Sequence, residues 1–323
     1  MPLENYTSEF ALNMQSEKMA ICRLSNLDLL AKQDYFNEDS PCHIYMITRR
    51  PRVYIDKNGL TFTEEKVFLT FRAQIEDSFE EITVELINNR KSDDLRLETI
   101  YPYSVFKVFD KGIEIVHSDA SVYLTKLLEN GYQLGEFANN FDLDVLYVGQ
   151  AYGKAGSRKA SDRLKSHSTM QSIYEEANRN NPDKEILLCL FTFKQWLLTS
   201  FDGTKKLSPE QIKLDDEHMK NVMNRVMFEG ITEQQEINFT EAALIKYFQP
   251  PYNIEYKNTF PNPVHSTYSE CYDIDVNSIC LELNTEDIFC RLYSKHQVKR
   301  WIHFASFNLH TREDRITMFR FIY

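Results

Sequence analysis

Apolar and polar positions alternate in short runs through the first 118 residues. Residues 43–48, 53–55, 66–73, 81–87 and 105–109 are rich in β-branched and aromatic side chains. The turn-forming tracts 56–59 (Asp-Lys-Asn-Gly) and 88–94 (Asn-Asn-Arg-Lys-Ser-Asp-Asp) break them, so the pattern predicts strands. The stretch before Cys42 reads as helical. Residues 1–118 are therefore expected to form an α+β accessory or targeting domain.

The pattern changes from residue 119 onward. Residues 121–129 predict a helix closed by Asn130-Gly131, and 144–148 predict a strand. A glycine-containing basic loop, 149–159, leads to a helix with Ser161 at its N-cap and Asp162 in the first turn. Residues 185–193 are almost continuously apolar and predict a buried strand. Helices are expected over 215–228 and 233–248, the second stopped by Pro250-Pro251. A domain over 119–257 follows, with a helical insertion at about 194–238. Residues 258–323, with apolar runs at 279–283 and 288–292, are expected to form a small β-rich C-terminal segment. The fold class is α+β.

Composition changes this picture little. The chain has 323 residues, 42% hydrophobic and 26% charged, in the ordinary range for a globular protein. There is no basic start followed by an apolar stretch, and no apolar run of about 18 residues, so no membrane partner is expected. A cytoplasmic location follows, or a nucleoid or nuclear one. The six cysteines include no Cys-x-x-Cys pair, which suits buried thiols better than a disulfide framework.

Charge changes it more. The net charge of -11 opposes phosphate binding on average. Between Tyr147 and His167, however, Lys154, Arg158, Lys159, Arg163 and Lys165 face only Asp162. Such a reversal inside an acidic chain points to a local anion site.

Three blocks carry candidate chemistry. Leu146-Tyr147-Val148-Gly149-Gln150 is a strand ending at a glycine where the backbone can turn. Arg163 and His167 stand four apart on one expected helix face. The third block runs from Glu241 to Asn253. Phosphodiester hydrolysis needs an oriented water, fixed positive charge on the phosphoryl oxygens and a metal or acid at the leaving oxygen. Arg163 offers a planar fork for phosphate. Glu241 is a hard ligand suited to Mg2+. Tyr147 can orient the water or take its proton, provided cations such as Lys154, Arg158 or His167 lower its pKa.

Taken together, the blocks resemble the GIY-YIG nuclease superfamily. Tyr147-Val148-Gly149 resembles the second signature, Arg163 the helix arginine with His167 four residues on, and Glu241 the metal-binding glutamate. The Glu241–Asn253 block is similar to that of the N-terminal nuclease domain of the bacterial excision-repair incision enzyme. The resemblance implies a small mixed sheet flanked by helices, and a structural role for Asn253. It also implies a catalytic set of Tyr147, Arg163, His167 and Glu241, with Glu241 holding Mg2+ and Mn2+ able to substitute. Gly149, Lys154, Arg158, Lys159, Lys165 and Asn253 would line the substrate side.

The first Gly-Ile-Tyr signature is not intact. The nearest substitute is Gly131-Tyr132-Gln133, which nominates Tyr132 as the other tyrosine. His43-Ile44-Tyr45 with Tyr54-Ile55-Asp56 imitates the double signature but lacks the later blocks at suitable distance, and is set aside. Arg158 is an alternative phosphate arginine, because the loop before Arg163 is long.

The expected function is a metal-dependent endonuclease acting on DNA rather than RNA, in restriction, mobile-element, repair or antiviral defence. Residues 1–118 could then bring a protein partner. The alternative is a catalytically inactive GIY-YIG-like module that binds nucleic acid or protein.

Overall fold

The computed structural model describes residues 6–37, 39–150, 168–204, 206–261, 269–311, 315 and 317–319. Its strands are β1 (Ser8–Cys22), β2 (Ile44–Pro51), β3 (Val53–Phe62), β4 (Lys66–Ile75), β5 (Ser78–Ile87), β6 (Leu95–Thr99), β7 (Val105–Asp110), β8 (Ile113–Asp119), β9 (Leu143–Gln150), β10 (Lys184–Phe201), β11 (Ser278–Asn284), β12 (Leu292–Tyr293) and β13 (Ile302–Asn308). The helices are α1 (Leu27–Lys32), α2 (Ala120–Glu129), α3 (Ser168–Asn180), α4 (Pro209–Met223), α5 (Glu233–Phe248) and α6 (Ser269–Ile274). The class is α+β, as the patterning predicts.

One sheet organises the chain, in the order β12-β9-β2-β10-β1-β11-β13. It is mixed: β1 and β11 run parallel, as do β12 and β9, while the other pairs are antiparallel. At seven strands it is larger than the small sheet expected. The boundaries expected at 118 and 257 do not separate its strands, since β1 and β2 come from the first segment and β11 to β13 from the last.

The strand β1 replaces the helix expected before Cys42. Ala, Leu, Met, Gln, Glu and Lys within it favour helix when read locally. Yet Phe10, Leu12 and Met14 alternate, all buried, and both strand edges are paired. Tertiary pairing outweighs local propensity here. Two smaller differences occur elsewhere. Residues 194–201 extend β10 rather than opening a helical insertion. The strand expected at 288–292 becomes a 3-10 turn (Glu286–Ile288) followed by the two-residue β12.

Residues 52–142 form an insert between two adjacent strands, β2 and β9. The insert holds two three-stranded sheets, β3-β4-β5 and β6-β7-β8, with its own core around Phe71, Phe106, Leu124 and Phe141. Buried Glu185 on β10 pins the junction. It pairs with Arg50 at 2.7 Å and with Arg23 at 2.8 Å, and Arg23 also reaches Asp119 of the insert at 2.7 Å. Burial alone would raise the Glu185 pKa; the two guanidiniums hold it below the ordinary carboxylate value.

Helix α5 covers one face of the main sheet, and α3 covers the other. A capping box starts α5: Thr232 accepts from the Gln235 backbone N–H, while Gln235 reaches back to the Thr232 N–H. Gln249, in the left-handed region, closes it one residue before Pro250. Among the described residues, no helix is long and apolar enough to cross a membrane.

Candidate functional site

The antiparallel β2–β9 pair sets Tyr45 opposite Gly149 and Ile47 opposite Tyr147. The two tyrosine rings lie 5.9 Å apart, tilted by 38°. A Cβ at position 149 would stand 2.8 Å from Tyr147 Cε1 and equally close to Tyr45 Cζ and Oη. Gly149 is therefore needed for close approach: both rings close over its backbone. Tyr45 is fully buried and Tyr147 half-buried.

The tyrosine that this arrangement sets beside Tyr147 is Tyr45, not Tyr132. His43-Ile44-Tyr45, set aside on sequence distance, supplies the strand beside Tyr147. Tyr132 packs on the core of the insert instead. The insert explains the difference, because it separates in sequence two strands that are neighbours in space. Spacing along the chain does not report that neighbourhood.

Asn253 is buried and acts as a short stretch of false strand. Its Oδ1 accepts from the Val148 N–H at 2.9 Å, and its Nδ2 donates to the Val148 carbonyl at 2.9 Å. The Tyr252 N–H adds a bond to the Leu146 carbonyl at 3.2 Å. These contacts satisfy the edge of β9 beyond β12, which pairs at Leu143 and Asp144. Asn253 was also expected to line the substrate side; its amide is instead buried against Val148.

Glu241 lies on α5 beside the end of β9. Gln150 Nε2 donates to Glu241 Oε2 at 2.8 Å and to Asn238 Oδ1 at 2.9 Å. Gln234 Nε2 donates to the same Asn238 oxygen at 2.9 Å. Gln234, Asn238 and Glu241 follow an i, i+4, i+7 spacing, which puts them on one stripe of the helix. The one carboxylate of this cluster is Glu241, and Asn238 Oδ1 already accepts from two amide N–H groups. A single carboxylate fits Mg2+, which accepts one or two protein carboxylates and keeps several waters. Among the described residues no group of three His, Cys, Asp or Glu could hold a metal ion.

Tyr147 and Glu241 do not share a face of the sheet. Tyr147 and Gly149 point to the side covered by α3, where Tyr45, Ile47 and Ile173 pack. Val148 and Gln150, one residue out of phase, point to the side covered by α5. Arg163, His167, Lys154, Arg158, Lys159 and Lys165 lie outside the described residues.

The structure adds a neighbouring cleft of about 500 Å3 that sequence reading missed, lined in part by Glu17, Asp39, His43, Lys194 and Glu236. His43 Nδ1 accepts from the Phe193 N–H at 3.1 Å, so in the neutral ring Nε2 carries the proton, toward Glu233 Oε1 at 3.4 Å. Burial holds the His43 pKa below the ordinary imidazole value, against the pull of Glu233. Burial, helped by the Glu233 charge, pushes Glu236 up to about 7. No spacing in the sequence links His43 to Glu236; only the pairing of β2 with β10 and the docking of α5 bring them together. No protein-family model, no curated protein and no solved structure matches the chain.

Proposed function

We propose that the chain is a metal-dependent endonuclease of the GIY-YIG type, with His43-Ile44-Tyr45 in the place of the first signature. The observation that carries this reading is the β2–β9 pair, which packs Tyr45 and Tyr147 over Gly149. Asn253 bonded across Val148, and Glu241 beside the end of the same strand, support it. In this reading Tyr147 orients the attacking water and Tyr45 positions the Tyr147 ring. Arg163 and His167 bind the phosphate, with Lys154, Arg158, Lys159 and Lys165 steering the backbone of the DNA. Glu241, with Asn238 nearby, would hold Mg2+ or Mn2+, which supplies charge for the phosphoryl and leaving oxygens.

The test is cleavage of plasmid, single-stranded DNA and RNA with Mg2+ or Mn2+. Glu241→Gln should lose at least about a hundredfold in rate while keeping the wild-type unfolding curve. Equal cleavage by a clean preparation of the variant removes the assignment. One observation favours a second reading, a binding module without catalysis: Tyr147 and Glu241 face opposite sides of β9. Tight, salt-sensitive DNA binding without cleavage under any of these conditions selects that reading.

A further inference from the structure

We infer that the open edge of β10, residues 195–201, docks an extended basic segment of a partner protein by strand addition. The acidic cleft at the head of that edge would receive a lysine or arginine side chain of the segment. The inference does not rest on the proposed function.

Strand β2 pairs with β10 only from Lys184 to Phe191, whereas β1 runs along the opposite side as far as Phe201. Beyond Phe191, the β2 side of β10 has no strand partner among the described residues. Its first backbone groups meet side chains instead. The Phe193 N–H donates to His43 Nδ1, and the Gln195 N–H points toward the Glu236 carboxylate. By the two-residue period of a strand, the N–H and carbonyl groups of Leu197, Thr199 and Phe201 face the same way. Proteins commonly blunt such an edge with lysine, proline or a bulge. Residues 195–201 (Gln-Trp-Leu-Leu-Thr-Ser-Phe) carry no charge and no proline, and their register with β1 is unbroken. Trp196, Thr199 and Phe201 are exposed. An edge of this kind is a template for an extended chain.

The cleft of about 500 Å3 selects the charge. Phe193 and Gln195 of the same edge line it, facing Val226 and Ile231. Glu17, Asp39 and Glu236 line it too, with Glu233 beside His43. Lys194 is already engaged, by Glu17 at 3.6 Å and by the Trp196 ring. Among the described residues, no three His, Cys, Asp or Glu groups are placed to hold a metal ion, and such wider spacing suits an ammonium or guanidinium group. Glu236 Oε1 is buried there without a hydrogen-bond partner among the described residues. A cation in the cleft would compensate a carboxylate that the fold leaves short of donors. A second copy of this chain fits less well, because its residues 195–201 bring no cation and its cleft brings the same carboxylates.

The experiment follows a fluorescein-labelled nonapeptide of alternating valine and lysine as it binds the full chain, by fluorescence anisotropy at low salt. Glu236→Gln should weaken binding about tenfold while melting at or above the wild-type temperature. Thr199→Pro removes one outward N–H at an edge position, where proline is tolerated, and should also weaken binding. A nonapeptide of valine and glutamate should not bind. In the wild type, the bound basic peptide should slow hydrogen exchange at the Leu197, Thr199 and Phe201 amides. Absence of binding, binding without that slowing, or binding that neither variant weakens overturns the inference. So does weakening by Glu236→Gln alone, which would leave a cation pocket without strand addition, or by Thr199→Pro alone, which would leave an edge without charge selection. Slowing that follows protein concentration without any peptide would make a second copy the occupant and overturn it as well.

Discussion

Glu236 lines the cleft beside His43 with its Oε1 atom buried and, among the described residues, without a hydrogen-bond partner. Its pKa is raised to about 7, so the fold favours the protonated form. A raised carboxyl contributes stability below its unfolded pKa, and loses it as pH rises through the folded value. Glu236→Gln, which mimics the protonated state, should therefore unfold at a higher temperature than the wild type at pH 8. At pH 4 the two should nearly coincide. Melting curves at the two pH values check this, and a constant difference would remove burial of the charge as its cause. Gly149 gives a second prediction at this scale. An alanine methyl would meet both tyrosine rings at 2.8 Å, so Gly149→Ala should cost about 1–3 kcal/mol in denaturant unfolding as the rings are pushed apart.

At the scale of elements, β9 depends on a side chain to complete its ladder. Asn253→Ala would leave the Val148 N–H and carbonyl buried and unpaired, at a cost of about 2–4 kcal/mol. Denaturant unfolding should record that loss, and a loss under 1 kcal/mol would mean that another group takes over both bonds. The same element shows what sequence reading could reach. β9 and α5 were legible because each has a local signal: an apolar run ending in glycine for one, a capping box and a proline stop for the other. The Glu241–Asn253 block was legible for the same reason. By contrast β1, built from helix-favouring residues, becomes a strand only because β10 and β11 flank it. Tyr45 was missed on equally physical grounds. Its partner lies across an inserted domain, and no periodicity or spacing encodes a contact of that range. The Glu236–His43 cleft is likewise a product of docking, assembled from β1, β2, β10 and α5 and the residues around them.

At the scale of the molecule, the main sheet is drawn from both ends of the chain while its centre leaves to build the insert. The insert is acidic and is fastened through Arg23, Arg50 and Glu185. Its position also links two equilibria. Folded, it brings Pro51 and Leu143 to adjacent strands, much as a tight turn would; unfolded, it is a loop roughly twenty times longer than such a turn. The closure entropy of that difference is about 3 kcal/mol, and it falls on the β2–β9 pairing. The two tyrosines are thus thermodynamically coupled to an insert whose core contains neither ring. Phe106→Ala, at the centre of the insert core, should therefore speed hydrogen exchange of the β9 amides as well as those of the insert. Unchanged protection in β9 would show the two to be independent. A substitution acting on the insert alone would, through this coupling, adjust how often the tyrosine pair is assembled, a dial set far from the rings it turns.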